Sequence, residues 1–334
     1  MISRLSARFR DGRFIYERNR GTLFAALMFC VIFVVYVSNH PAGFSWNVVQ
    51  TAANKATLLA FVAAAQALVV LTGGIDLSAG MILILANCLA SWVVVDTVPH
   101  AILGIGLVLL ASLGCGLVNG LLVVVGRLQP IVATIATSAA YFGLALLLRP
   151  QPGGGVEETI ADLVTSKIGD TFPASLVFLG LTILVVWVPF SRSIYGRAAI
   201  ACGSAESAAY MSGLPIGRAK IIAYGLAGLL SGVAGLDLTF FSYTGEAAFA
   251  SGNAYTLYSI ASVVLGGVAL SGGRGSAVGA VFGALIFRTI GDLLFVFDLD
   301  PLWQPLFQGI VLLVAVSLGA VSLLRVRNRL EWFP

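Results

Sequence analysis

Along this chain the apolar residues gather in long unbroken runs. They show neither the three-to-four spacing of a surface helix nor the alternation of a half-buried strand. A helix rises about 1.5 Å per residue, so about 20 apolar residues cross the hydrocarbon core of a bilayer. Runs of that order lie near residues 22–38, 51–72, 77–96, 101–125, 130–149, 174–190, 217–241, 255–271, 276–297 and 303–324. They predict an all-α, polytopic membrane helix bundle of about ten spans. Glycine-rich turns join the second span to the third, near 72–77, and the eighth to the ninth, near 271–276. The expected organisation is a basic segment 1–21, a single transmembrane unit 22–324 and a tail 325–334.

The charges orient this pattern. Connections expected on one side carry Arg127, the cluster Arg192, Arg197, Arg218 and Lys220, Arg274, and the terminal Arg325, Arg327 and Arg329. Those on the other side carry Asp96, then Glu157, Glu158, Asp162 and Asp170 against Lys167, then Glu246, Asp298 and Asp300. Basic loops stay inside, which predicts that both termini are cytoplasmic. The basic stretch before residue 22 has no small-x-small cleavage site after its apolar run, so it predicts an uncleaved first span.

Composition agrees. The 334 residues are 59% hydrophobic and 10% charged, against roughly 25% charged in soluble domains. The mean hydropathy is +0.98, and the 38 glycines suit close helix packing. The net charge of +4 is scattered between apolar runs, which argues for topology rather than for nucleic acid. Cys30, Cys88, Cys115 and Cys202 lie far apart, and His40 and His100 have no metal-ligand spacing, so neither a metal nor a cofactor is expected.

Two stretches carry candidate chemistry. In V-V-L-T-G-G-I-D-L-S-A-G, Val69–Gly80, Asp76 sits in apolar surroundings. A carboxylate at the bilayer centre costs about 2.5–3.5 kcal/mol, so Asp76 needs an interface or a polar cavity. Gly73-Gly74 breaks the helix before it and Ser78 is placed to cap the next. Asp76 is then either a helix-start carboxylate favoured by the dipole or part of a transport path or its gate. A partial echo, V-V-L-G-G-V-A-L-S-G-G-R-G-S, follows at Val263–Ser276, as in transporters built from repeats. The segment 191–216 predicts a short helix over Ser204–Met211, stopped by Gly213 and Pro215 and flanked by basic residues. It is a docking knob for a soluble partner or a solvated connector. Polar groups inside spans include Lys55, Gln66, Asn87, Asn119, Thr134, Thr137, Ser138 and Asp237. Arg288 and Asp292, four apart, are expected to neutralise each other.

These residues resemble the permease subunits of ribose-type bacterial ABC importers. The resemblance rests on G-G-I-D-L-S-A-G (Gly73–Gly80), V-N-G-L-L-V (Val118–Val123), Q-P-I-V-A-T (Gln129–Thr134), Tyr195–Gly213 and L-G-G-V-A-L-S-G-G-R-G-S (Leu265–Ser276). They stand in the family's order over residues 50–290. Cys202 and Tyr210-Met211 depart from its commoner pattern. The resemblance implies a multi-pass protein of the bacterial inner membrane that translocates a monosaccharide or related polyol. It implies that Gly203–Gly213, with Glu206, Ser207, Ala208, Ala209 and Ser212, couples to an ATP-binding cassette subunit. Asp76, Asn87, Asn119, Thr134 and Thr137 are the candidates for the path or its gate. It further implies a second permease copy and an extracytoplasmic solute-binding protein. No G-x-x-x-x-G-K-[ST] run occurs, so ATP hydrolysis is expected on another chain and the protein is not expected to be an enzyme. The alternatives are a permease for a nucleoside or autoinducer and an ion-coupled carrier using Asp76 or Asp237. An intramembrane enzyme finds no His/Asp or Ser/Lys cluster within a span.

Overall fold

A computed structural model describes residues 2–311 together with 313, 314 and 317. The expected tail 325–334, and the end of the expected tenth span, lie outside the described residues.

The long helices are α1 (Ile2–Asn39), α2 (Trp46–Val70), α3 (Ala79–Val93), α4 (Val98–Val124) and α5 (Pro130–Leu148). After the helix α6 (Glu158–Thr165) and the paired strands β1 (Lys167–Ile168) and β2 (Phe172–Pro173) comes α7 (Ala174–Arg192). Two short helices follow, α8 (Ile194–Ser204) and α9 (Glu206–Met211). The chain then forms α10 (Ile216–Ser242), α11 (Phe249–Leu265) and α12 (Ala277–Val296), and is helical again at 304–311. Seven of these are long and apolar enough to cross a membrane. The starts are written locally: Ser45 accepts from Val48 N (3.3 Å) at α2 and Ser276 from Gly279 N (3.0 Å) at α12. Proline opens α4 and α5, where its missing N–H costs nothing.

Three expectations need correction. The third helix begins at Ala79 and holds 15 residues, because Gly74–Asp76 is irregular and the chain bends at Leu77-Ser78 before turning helical. The eighth lies at Phe249–Leu265 rather than 255–271, because its first turns accept polar Ser251 and Asn253. In 191–216 the short helix is α9, and Ser204 ends a separate helix before it. Ser193 starts that helix, its Oγ accepting from Gly196 N (3.0 Å).

α2 is the axis. Its most apolar window is 89% buried, against 11% for that of α1 and 28% for those of α4, α5 and α7. The outer helices turn apolar side chains such as Leu103, Leu110, Leu147 and Val185 outward, as a lipid-facing surface requires. Helices meet through small residues. A Cβ on Gly116 of α4 would strike Tyr224 O, and one on Gly228 of α10 would strike Ser112 O.

The connections divide between two ends. One end gathers 71–78, 125–129, 193–215 and 266–276, and is rich in Arg and Lys. Thr22 at the start of the apolar half of α1 joins it, its Oγ1 3.0 Å from Ser276 Oγ. The other end carries the cap formed by α6 and the strands. Gly153 and Gly245 exchange backbone hydrogen bonds there, and Glu157 N donates to Val94 O (2.8 Å).

Candidate functional site

After Val70 the chain turns through Thr72 and Gly73, whose φ of 82° suits glycine, and runs back alongside the helix it has left. The Gln66 carboxamide, in the orientation its neighbours require, donates to Asp76 O (2.9 Å) and accepts from Asp76 N (3.2 Å). Asp76 therefore lies level with a residue one turn inside α2. α3 starts within the bundle, and its 15 residues rise only about 22 Å. The non-helical residues complete the crossing, and their backbone groups need partners that lipid cannot supply.

Side chains of α2, α5 and α11 supply them, and α4 adds a bond to the Ser78 side chain. Leu77 N donates to Thr134 Oγ1 (3.0 Å) on α5, and Gly80 N to Thr256 Oγ1 (3.1 Å) on α11. Asp76 Oδ1 accepts from Ser78 N (2.8 Å) and Ser78 Oγ (2.7 Å). Ser78 thus stands at the helix start without capping it: its backbone is already in the helical region (φ −98°, ψ −9°), and its Oγ accepts from Asn119 instead of from the first turn. Asn119 Nδ2 on α4 donates to Ser78 Oγ (2.7 Å), and the Tyr141 hydroxyl lies 3.1 Å from Asn119 Oδ1. Beside this network two buried oxygens, Asp76 Oδ2 and the Tyr224 hydroxyl, have no hydrogen-bond partner among the described residues.

The five candidates for path or gate thus fall in two places. Asp76, Asn119 and Thr134 share this network, with Thr137 one turn along α5 donating to Thr134 O (3.3 Å). Asn87 lies at the cap end. Its Nδ2 donates to Thr239 Oγ1 (2.9 Å) and Thr244 O (3.0 Å), and its Oδ1 accepts from Glu246 N (2.9 Å). Asp237 is separate again, accepting from Thr57 Oγ1 (3.0 Å). Tyr141 and Tyr224 were not singled out in the sequence; the signal was a phenol inside an apolar run, which needs a partner when buried.

At the cation-rich end α8 brings Gly203 against both glycine turns. A Cβ on Gly203 would strike Leu71 O and come 2.5 Å from Gly273 N. One on Gly272 would come 2.8 Å from Gly73 N and 2.9 Å from Gly203 Cα. Gly273 N donates to Leu71 O (3.2 Å), and the Cys202 thiol lies 3.7 Å from Thr72 O. Three backbones thus touch without side chains between them. The two stretches that echo each other in sequence meet here, joined through α8. Burial pushes the Cys202 thiol up, which leaves it a packing group rather than a nucleophile.

α9 projects beyond this junction. Lys220 Nζ of α10 holds Glu206 Oε1 at 2.6 Å. Ala209 packs inward with Ile216 and Leu214, while Tyr210 and Met211 are 76% and 81% exposed. Gly213, at φ 73°, lets the chain reverse into α10. A cleft of about 290 Å³ opens beside the junction, lined by Thr72, Gly73, Gly203, Glu206, Lys220 and Tyr224.

Residues 48–316 match the family model described as branched-chain amino acid transport system / permease component. The chain is 38% identical over 254 residues to the ribose import permease protein RbsC of Bacillus subtilis, covering 75% of this chain and 77% of that one. It is 30% identical over 300 residues to ribose import permease protein RbsC of Escherichia coli K12, covering 87% and 91%. With the fructose import permease protein FrcC of Rhizobium meliloti it shares 30% over 278 residues, covering 79% and 75%. No solved structure matches.

Proposed function

The chain belongs to the family described as branched-chain amino acid transport system / permease component, and on that premise we propose that it is the membrane subunit of an ATP-driven sugar importer. It is a multi-pass inner-membrane protein that passes a monosaccharide into the cytoplasm, with ATP hydrolysed on a separate cassette subunit. Ten spans, counting α3, α11 and the helix that begins at 304, put both termini and the cation-rich end in the cytoplasm. A second permease copy completes the membrane part, and an extracytoplasmic solute-binding protein delivers the sugar to the cap end.

α9 is the element that docks on the cassette subunit, through Glu206, Ser207, Ala208 and the exposed Tyr210-Met211. The observation that carries this reading is the seat of Gly203 against both glycine turns. A push on α9 reaches the Asp76 turn and the Gly272 turn through backbone alone. In this mechanism the cassette pair closes on ATP, the two α9 helices move, and the broken start of α3 shifts against its network. Asp76, Asn119, Thr134 and Thr137 act there as the gate, with Asn87 holding the far end of α3.

Charge reversal at Glu206 would place an arginine beside Lys220 and disturb the fold as well as the docking. Met211→Arg is the cleaner test, since Met211 is 81% exposed. Both variants should abolish substrate-stimulated ATP hydrolysis in the reconstituted complex, and M211R should keep the wild-type melting temperature. Full stimulation in M211R would remove α9 from the docking site.

A further inference from the structure

A second cavity lies between α2, α11, α12 and the helical stretch at 304–311, away from the network at the break. Its volume is about 250 Å³. Each helix adds polar groups to a lining that is partly apolar (Leu59, Phe287, Pro305): Lys55 from α2, Tyr255 and Tyr258 from α11, Arg288 from α12, and Gln304 and Gln308 from the last helix. Lys55 lies nine residues into α2 and Arg288 eight residues before the end of α12, so both stand about 12–14 Å below the cap end. That is close to the middle of a hydrocarbon core about 30 Å thick, too deep for a lipid headgroup.

Charges at this depth face a water-filled cavity or a partner, or they are not tolerated. Arg288 has one partner, with Nη2 3.3 Å from Asp292 Oδ1, and its Nε is buried without a hydrogen bond. Lys55 forms no ion pair among the described residues. The other nearby carboxylate, Asp237, already holds Thr57. The cavity's own lining thus holds two cations and no carboxylate, since Asp292 and Asp237 stand outside it. Gln308 is 6% exposed, and its carboxamide makes no hydrogen bond among the described residues. Gln304 and Gln308 both turn Nε2 toward Gly291, where a Cβ would come within 3.2 and 3.4 Å. Cations that grip an anion, amides that grip hydroxyls and two phenols are the groups that hold a polyhydroxylated acid.

We propose that this cavity is a solute site on the translocation path and that it takes a sugar bearing a carboxylate, an aldonic or uronic acid. Lys55 and the free edge of Arg288 take the carboxylate, and Gln304, Gln308, Tyr255 and Tyr258 take the hydroxyls. The proposal rests on the importer reading and adds the substrate class to it. Asp292 holds Arg288 in place and disfavours a second anion, so the site fits a monoacid.

The test uses the permease reconstituted in proteoliposomes with its cassette subunit and binding protein, given labelled D-gluconate or D-ribonate and, in parallel, D-glucose or D-ribose. ATP-dependent uptake of an acid should exceed that of its neutral counterpart, and Lys55→Gln should lower it by about tenfold. Because R288Q alone strands Asp292, the companion variant is R288Q/D292N, which should lower acid uptake similarly while keeping the monodisperse elution of the wild type. Uptake of a neutral sugar but no acid, or acid uptake indifferent to K55Q and to the double variant, overturns this inference and leaves the importer reading standing. Failure of every sugar, acid or neutral, to enter or to stimulate ATP hydrolysis overturns the importer reading and this inference with it.

Discussion

At the scale of single residues, Asp76 shows how a carboxylate is kept inside an apolar bundle. One oxygen accepts two hydrogen bonds from Ser78 and the other accepts none. Asparagine reproduces the accepting oxygen, so D76N should unfold near the wild-type temperature in detergent. D76A leaves the Ser78 N–H and hydroxyl without their acceptor and should lose about 1–3 kcal/mol. Equal melting temperatures for D76A and the wild type would show that the network does not hold the break. Tyr243, just beyond α10, offers a pH test at the other end. Its hydroxyl donates to Asp162 Oδ1 (2.6 Å), and that hydrogen bond raises its pKa above the usual value near 10. The bond is intact below that usual value and is lost as pH rises through the raised one. Phenolate absorbance at Tyr243, obtained by difference from Y243F, should therefore appear later than that of a free tyrosine. Ionisation at the ordinary value would show the latch to be absent.

At the scale of elements, glycine decides which helices touch by backbone. A Cβ on Gly116 would strike Tyr224 O on α10, whereas one on Gly114, two residues earlier, meets nothing within 4 Å. Gly116→Ala should lower the melting temperature, and Gly114→Ala should leave it unchanged or raise it, since alanine is the better helix former by about 1 kcal/mol. A thermal scan of the two solubilised variants checks this; equal losses would mean that α4 and α10 do not meet as described. The sequence does not separate these two glycines, because the lipid-facing and helix-facing sides of α4 are equally apolar and periodicity carries no information there. Elsewhere it says much more. The runs at 217–241 and 276–297 reappear within a residue as α10 and α12. The acid in an apolar context and the glycine pair before it mark the break at Asp76. What stays hidden is how the break is satisfied: Gln66, Tyr141 and Thr256 come from three other helices, and only packing brings them there. The cation-rich cavity is hidden for a related reason. Arg288 and Asp292 stand four apart and read as a closed pair, while Lys55 comes from a helix more than two hundred residues away.

For the whole molecule, the question is how a push at one end reaches the other. α10 answers it by its length. Its 27 residues run about 40 Å, from Lys220 near its start to the Tyr243 latch beyond its end. Along that course it packs against α8, α2, α3 and α4, and at the cap end against α6. The Glu206–Lys220 pair fastens α9 to the beginning of this rod, and Gly203 seats α8 on the turns before α3 and α12. A stroke delivered at α9 then has no slack to take up between the docking element and α10. If the two move as one body, tying them together should change nothing. A bis-maleimide bridge between E206C and K220C should leave substrate-stimulated ATP hydrolysis at the level of the unbridged double variant. Loss of stimulation on bridging, restored when a cleavable linker is cut, would mean that α9 swings away from α10 during the cycle. The stroke would then pass to the bundle through the glycine junction alone.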